Sequence, residues 1–264
     1  MSTVSTGKFF DANARIHEQI RVTQSETMHR VASLMAEVIA RGGIVHLFGS
    51  GHSSLVVQEM FPRIGSFAGF NPIVDLPLSR FTSMTGGGDT THRANLFLST
   101  IETYGRIIFE DQDIRPGDVL LCSTATGINA VTVDLAICAK EVGATTIALT
   151  SIAHAMASEP SHSSGKRLHE ACDVVIDLCT PAGDAAVHID GLNAPVGGTS
   201  TIAACLIGNA LVVEVAFILT SRGKPPEVMP SAFYAGEVQR KKRENARKIY
   251  ERIWAESSHR GRRK

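Results

Sequence analysis

The sequence has no excess of either charge, and it has few cysteines. It carries 26 basic and 26 acidic side chains in 264 residues, so a general attraction to nucleic acid or anionic lipid is not expected. Its five cysteines form no CxxC pair, which argues against a structural zinc site. With no recognisable signal peptide, buried thiols in a reducing cytoplasm are predicted. The absence of a GK[ST] motif excludes a Walker-type phosphate loop.

One apolar stretch approaches the length of a membrane span. Residues 201–219 are almost continuously apolar, close to the ~20 residues that cross a bilayer. Asn209 and Glu214 interrupt the stretch, and no aromatic belt flanks it. A helix that is apolar all round is also typical of a buried or subunit-interface helix. We therefore predict a buried helix in a homodimer or homotetramer, with a membrane span as the weaker alternative.

Short apolar runs alternate with helical patterns along the chain. The predicted strands are 44–48, 73–76, 119–122, 145–149 and 174–178, and the predicted helices are 8–41, 53–63, 92–111, 128–142, 200–220 and 237–254. This alternation predicts an α/β fold, a three-layer α-β-α sandwich around a five-stranded parallel sheet. Right-handed crossovers favour the strand order 2-1-3-4-5. No linker is visible, so we expect one domain over 1–264, with an N-terminal helix 8–41, a core 42–222 and a helical tail 223–264.

Two hydroxyl-rich turns follow the first and third predicted strands. The first lies in GGIVHLFGSGHSS and the second in GDVLLCSTATGINAV. A strand, a turn and a helix start together present free N–H groups and a helix dipole, which favour an anion. In the order 2-1-3-4-5 the ligand crevice opens between strands 1 and 3. Both turns are therefore predicted at one crevice, where they hold one oxygen-rich ligand, with a phosphosugar as the first hypothesis.

Two other interpretations of these turns stay open. The hydroxyls of Ser53 and Thr126 would serve only as helix caps in the simplest one. A dinucleotide-binding fingerprint is the other, because GSGHSS has the first two glycines of GxGxxG and Asp75 follows strand 2. Ser54 stands at the third glycine position, which weakens that alternative.

Several separate blocks resemble the SIS (sugar isomerase) domain. They are GGIVHLFGSGHSS, RPGDVLLCSTATGINAVTVDLAICAKEVGATTIALTS and APVGGTSTIAACLIGNALVVE. HSSGKRLHEACDVVIDL and GKPPEVMPSA resemble, more closely, an uncharacterised bacterial SIS subfamily related to phosphoheptose isomerases. The resemblance implies the flavodoxin-like SIS fold and phosphosugar binding. It places the phosphate on Ser123, Thr124, Thr126 and Asn129, and the sugar along Ser50, Gly51, His52 and Ser53, with Thr199 and Ser200 as further ligand residues.

The resemblance also implies a cofactor-independent aldose–ketose isomerisation through an enediol. A base removes the C2 proton, and an acid/base pair moves protons between O1, O2 and C1. Glu59 lies about 9 Å along the helix from Ser53, at 1.5 Å per residue, which suits a group reaching past the phosphate. Glu102 resembles a glutamate that holds sugar hydroxyls in related proteins. His52, in the turn itself, is the third predicted catalytic residue.

Departures from the family pattern keep other functions open. Phosphoheptose isomerases place their glutamate one turn later, where this chain has Arg63, and their helix histidine has no counterpart in TSTIAACLIGNA. QEMFP resembles the lactyl-ether-cleaving SIS enzymes, so an amino-sugar-phosphate lyase is an alternative. A non-catalytic phosphosugar sensor is another. The sequence assigns no role to the loop 77–91 or to His154, His162, Lys166 and His188, and no histidine pair has zinc spacing.

Overall fold

The computed structural model describes residues 5–79 and 92–229. It also describes single tail positions, namely 236, 237, 240, 241, 244, 247, 248 and 251. From residue 80 onward the predicted loop 77–91 therefore lies outside the described residues. Most of the predicted helix 237–254 lies outside them as well.

The centre of the fold is a five-stranded parallel sheet with the order β2-β1-β3-β4-β5. Its strands are β1 (Val45–Gly49), β2 (Phe70–Ile73), β3 (Val119–Ser123), β4 (Thr145–Thr150) and β5 (Val174–Asp177). The register pairs Val45 with Val119 and Gly49 with Ser123, so β1 and β3 end side by side. The predicted order 2-1-3-4-5 is confirmed.

Helices cover both faces of the sheet, and each face has its own apolar core. The helical elements are α1 (Ser5–Ala40), a 3-10 turn η1 (Gly51–Ser53), α2 (Ser54–Met60), α3 (Leu76–Ser79), α4 (His92–Leu98), α5 (Glu102–Glu110), α6 (Ala130–Glu141), α7 (Ile152–Met156), α8 (Leu168–Ala171) and α9 (Ser200–Ser221). One core lies between the sheet and α1, α2 and α9. The other lies between the sheet and α5, α6 and α8. This is the predicted three-layer sandwich.

The structure differs from these predictions in several places. The second strand is Phe70–Ile73 rather than 73–76, because Asp75 accepts a hydrogen bond from the Leu78 N–H and starts α3. The predicted helix 92–111 is two helices, broken where Ser99 and Thr100 donate their hydroxyls to carbonyls one turn back. Between β5 and α9, where no element is predicted, the structure has a two-stranded antiparallel hairpin, β6 (Ala185–Val187) and β7 (Val196–Gly198).

The apolar helix α9 packs against α1 and α2. Gly208 makes this possible, because a Cβ there would lie 2.8 Å from Val56 Cγ2 and 3.0 Å from Met60 Cγ. Among the described residues α9 is the one helix that is long and apolar enough to cross a membrane, and half of its most apolar window is buried. The predicted packing of this helix inside the protein is thus observed on one face.

Candidate functional site

The crevice lies where β1 and β3 end, between residues 50–53, the first turn, and residues 124–129. The chain turns sharply after β1, and a Cβ on Gly49 would lie 2.3 Å from the Ser53 carbonyl oxygen. Gly51 has a φ of +59°, which favours glycine. These two glycines fold the first turn back toward the loop 124–129.

Asn129 joins the two turns with its side chain. Its Nδ2 donates to Ser50 Oγ at 2.9 Å. Its Oδ1 accepts from the hydroxyl of Thr126 at 2.9 Å and from that of Thr124 at 3.4 Å. One amide therefore holds three hydroxyls of the predicted site in one cluster.

The side chain of Ser53 reaches across the crevice from the first turn. Its Oγ accepts from the Ala125 N–H at 3.3 Å, and it makes no capping hydrogen bond to α2. Asn129 likewise makes no side-chain cap on α6. The interpretation in which Ser53 and Thr126 only cap their helices is therefore not supported, because Ser53 bonds across the crevice and the Thr126 hydroxyl donates to Asn129 Oδ1.

Several carbonyl groups of the loop 124–129 are bonded, whereas its last four N–H groups are open. The carbonyls of Ala125, Gly127 and Ile128 accept from Ser151 N, Leu168 N and the Ser161 hydroxyl. Within the described ranges, none of the N–H groups of Thr126, Gly127, Ile128 and Asn129 donates to a protein acceptor. Open N–H groups directly before a helix are the usual setting for a bound anion.

Gly127 allows this loop conformation. Its φ is +69°, and a Cβ there would lie 2.8 Å from Ala155 Cβ and 3.0 Å from Thr150 Oγ1. A larger residue would push the loop away from β4. The glycine in STATG is thus required both by its backbone angle and by its neighbours.

Ser123 and His52, also predicted for the site, differ in their solvent exposure. Ser123 is 1% exposed, and in the described structure its hydroxyl has no hydrogen-bond partner. It lies beneath the loop and not on the crevice surface. His52 is exposed on the first turn. A group in solvent reach at this turn can contact a ligand held by the loop.

Thr199 and Ser200 form hydrogen bonds with Asp184, a partner that the sequence did not indicate. Asp184 Oδ1 accepts from the N–H groups of Thr199 and Ser200 at 2.9 and 2.6 Å. Its Oδ2 accepts from the Ser200 hydroxyl at 2.9 Å, and the Thr199 hydroxyl donates to the Asp184 carbonyl at 2.9 Å. The start of α9 is therefore already occupied by a carboxylate of the chain itself.

Glu59 contacts α9 and not the turns. Its Oε1 accepts from Arg63 Nη1 at 2.5 Å and from Asn209 Nδ2 at 3.1 Å. No hydrogen bond within the described ranges joins this carboxylate to residues 50–53 or 124–129. The acid/base role of Glu59 stays a prediction.

Glu102 is bonded to the segment between α7 and α8. Its Oε1 accepts from the Ser163 N–H at 2.7 Å and its Oε2 from the Ser163 hydroxyl at 2.6 Å. These bonds lower the pKa of Glu102, chiefly through the hydroxyl. A second carboxylate, Asp134 of α6, lies 3.9 Å from His162 Nε2, and burial raises its pKa. Sequence reasoning did not link Glu102 to Ser163, since 61 residues separate them.

Asp75 is committed to a structural contact. It accepts from Tyr104 Oη at 2.5 Å and from the Leu78 N–H at 3.1 Å. Burial, together with this carboxylate, raises the pKa of Tyr104 to about 12. This pair joins α5 to the end of β2, so the carboxylate that the dinucleotide alternative needs is engaged elsewhere.

No hydrogen bond among the described residues joins His154, His162, His188 or Lys166 to residues 50–53 or 124–129. His162 is nearly buried beside Glu102, while Lys166 and His188 are exposed and His154 is half-buried. In the ranges 5–79 and 92–229 no group of three or more His, Cys, Asp or Glu residues is arranged to hold a metal ion.

Comparison with known proteins agrees with this architecture. The SIS domain family model matches residues 8–151. UPF0309 protein ABC0887 of Shouchella clausii is 33% identical over 225 residues, which cover 85% of this chain and 89% of the relative. A UPF0309 protein of Geobacillus, GWCH70_1414, is 32% identical over 234 residues, 88% of each chain.

A phosphoheptose isomerase from Francisella tularensis is similar in structure. It is 14% identical, with a TM-score of 0.46, and the match covers 81% of this chain and 98% of the other. A phosphoheptose isomerase from Neisseria gonorrhoeae is also similar, at 16% identity and a TM-score of 0.48 over 78% and 94% of the two chains. The predicted resemblance is confirmed by the family model and the sequence relatives. The chain therefore belongs to the SIS domain family, and its sequence relatives are UPF0309 proteins.

Proposed function

We propose that the protein binds a sugar phosphate, with the phosphate on the loop 124–129. The observation that supports this most is the set of open N–H groups at Thr126, Gly127, Ile128 and Asn129, next to the hydroxyls that Asn129 gathers. The start of α6 adds a favourable dipole for an anion. We keep Thr199 and Ser200 out of the proposed site, because Asp184 already accepts their N–H groups.

We further propose that the reaction is a cofactor-independent aldose–ketose isomerisation. A base takes the C2 proton, and the electron pair left on C2 forms the C1=C2 bond of the enediol as an acid protonates O1. The O2 proton is then removed, O2 becomes the carbonyl oxygen, and C1 takes up a proton. His52, exposed on the first turn, is one proposed acid/base group. Glu59 remains a proposed base, which would have to exchange its bond to Asn209 for one to the substrate.

A thermal-shift panel followed by NMR tests this proposal. Sugar phosphates of several chain lengths, with and without an N-acetyl group, are screened for stabilisation, and each hit is incubated with the protein in D₂O. Loss of the C2 proton signal is the result expected for the isomerase. If no sugar phosphate stabilises the protein, phosphosugar binding itself is contradicted.

A non-catalytic sensor of sugar phosphates is the second candidate. It is favoured by the two carboxylates, because Glu59 and Glu102 each have hydrogen-bond partners outside the crevice. Binding without proton exchange at C2 would support the sensor. Loss of a C3 substituent would indicate the lyase alternative.

We also propose a cytoplasmic homodimer or homotetramer, built on the exposed face of α9. Four large apolar side chains of this helix are between 41% and 67% exposed, and they are Ile202, Leu206, Val213 and Phe217. Their spacing places them along one side of the helix. A second copy of the chain offers the same apolar surface, as a two-fold interface requires. Sedimentation of Phe217→Glu against the unchanged protein tests this: a smaller assembly is expected, and an unchanged one contradicts it.

A further inference from the structure

The segment 157–167, which we call the strap, holds the loop 124–129 from outside the crevice. It connects α7 to α8. The Ser161 hydroxyl in the strap donates to the Ile128 carbonyl. The Leu168 N–H, directly after the strap, donates to the Gly127 carbonyl at 2.8 Å. Two consecutive carbonyls of the loop are thus bonded on the strap side.

The bonding of these carbonyls sets the direction of the open N–H groups. In a trans peptide the carbonyl of one residue and the N–H of the next point in opposite directions. The Ile128 carbonyl is directed at the strap and the Gly127 carbonyl at Leu168, the residue that follows the strap. The N–H groups of Ile128 and Asn129 are therefore directed away from that side. If the strap were released, these peptides would be free to rotate, and the N–H groups would lose their shared direction.

The strap is in turn held by Glu102. Both oxygens of this carboxylate accept from Ser163, one from its N–H and one from its hydroxyl, at 2.7 and 2.6 Å. Bonds to an ionised carboxylate are stronger than those between neutral groups. His162, next to Ser163, adds a second contact, since its Nε2 lies 3.7 Å from Glu102 Oε2. Glu102 is the first residue of α5, and α5 packs against α6, the helix that follows the loop.

We propose that Glu102 is a positioning residue, which acts through Ser163 and the strap to aim the loop N–H groups at a bound phosphate. This assignment rests on the proposed phosphosugar site but gives Glu102 a role different from direct contact with the sugar. The two roles differ in one respect that can be measured. A residue that aims the phosphate-binding groups affects every phosphorylated ligand, including inorganic phosphate, whereas a sugar-contacting residue affects only the sugar.

The experiment compares the affinities for inorganic phosphate and for the stabilising sugar phosphate by titration calorimetry. The variants are Glu102→Ala, Ser163→Ala, their double variant and Ser163→Thr, which keeps the hydroxyl. The matched control is Glu110→Ala, an exposed glutamate at the other end of α5. Thermal unfolding of every variant is recorded beside the affinities, and the Ser163 pair decides the question if Glu102→Ala fails to fold.

We expect Glu102→Ala to weaken both ligands by the same factor, about tenfold, and Ser163→Ala to weaken both by about threefold. The double variant should be no weaker than Glu102→Ala alone, and Ser163→Thr should retain the affinity of the unchanged protein. Loss of the sugar phosphate with unchanged inorganic phosphate would overturn the proposal, and so would additive losses in the double variant. If the unchanged protein bound neither ligand, the proposed function would fail as well, whereas equal binding by all variants would overturn the role of Glu102 alone.

Discussion

The helices α6 and α9 both begin with hydroxyl-rich segments, but the N–H groups at the two starts differ in what they bind. At α6 the residues Thr126 and Asn129 precede the helix, and the N–H groups of residues 126–129 have no protein acceptor within the described ranges. At α9 the residues Thr199 and Ser200 begin the helix, and Asp184 accepts both of their N–H groups. The start of α6 is open to an anion, whereas the start of α9 already binds the carboxylate of Asp184.

The difference shows that hydroxyl content alone does not identify an anion site. Both starts have the residue types that bind phosphate, and both belong to blocks that resemble the SIS domain. The group that fills the start of α9 is the carboxylate of Asp184, which lies 15 residues before Thr199 in the sequence. Asp184 has a φ of +67°. A site must therefore be judged by what its N–H groups already bind.

The largest effect is expected for Gly127→Ala at the open start. The new Cβ would lie within 3.0 Å of Ala155 Cβ and Thr150 Oγ1, so the loop must shift. We expect the affinity for the sugar phosphate to fall more than about tenfold, with a loss of roughly 2 kcal/mol in the free energy of unfolding. Calorimetric titration and urea unfolding measure the two quantities.

Gly223→Ala is the matched control for this variant. Gly223 has a similar φ of +73°, but a Cβ there meets nothing within 4 Å. It should lose a smaller amount of stability, about 1 kcal/mol, and no ligand affinity. An equal loss of affinity in both variants would mean that Gly127 matters only through global stability.

Threonine and serine at the two starts give the next prediction. Thr126→Ala removes a hydroxyl that donates to Asn129, and we expect an affinity loss of about tenfold for the sugar phosphate. Ser200→Ala removes a hydroxyl that donates to Asp184, so the affinity should stay within about twofold of that of the unchanged protein. A larger loss in Ser200→Ala than in Thr126→Ala would reverse the assignment of the two starts.

The elements of the fold were largely predictable, because their patterns are local. The apolar runs of β1, β3, β4 and β5 and the length of α9 follow from periodicity and composition. The hairpin β6–β7 was missed because its strands have three residues each and Gly197-Gly198 resembles a loop. The second strand was placed too late because residues 73–76 are apolar around Asp75, whose side chain instead starts α3.

The candidate site was only partly predictable. The meeting of the first turn with the loop 124–129 followed from strand order, which is a rule about topology. Two contacts could not be predicted: the hydrogen bonds from the start of α9 to Asp184, and those from Ser163 to Glu102. In both pairs the partners are distant in sequence, and no motif marks them. Which polar groups have partners is a property of the folded chain.

Asp184→Gly should produce a smaller effect, at the occupied start. Glycine relieves the positive φ but removes the carboxylate that caps α9, so the free energy of unfolding should fall by about 1–2 kcal/mol. Millimolar inorganic phosphate should restore part of the lost melting temperature, because the vacated N–H groups can then take an anion. A variant that is more stable than the unchanged protein would contradict the capping role.

The smallest effect is expected from removing the charge of Asp134 in α6. Burial raises the pKa of Asp134, so the folded state disfavours the ionised carboxylate. The resulting loss of folding stability is present above the pKa of the folded state and disappears as the pH falls through that pKa. Asp134→Asn removes the cost while its amide oxygen can still accept from the Arg106 N–H. We expect a melting temperature higher by roughly 2 °C at pH 8, with the gain vanishing in acid. A gain that grew on acidification would contradict this sign.

Amide NMR of the protein during titration with its sugar phosphate tests the central claim most directly. We expect the backbone N–H signals of Thr126, Gly127, Ile128 and Asn129 to shift together until the site is saturated, while those of Thr199 and Ser200 stay in place. Shifts at Thr199 and Ser200 with no change in the loop 124–129 would contradict it.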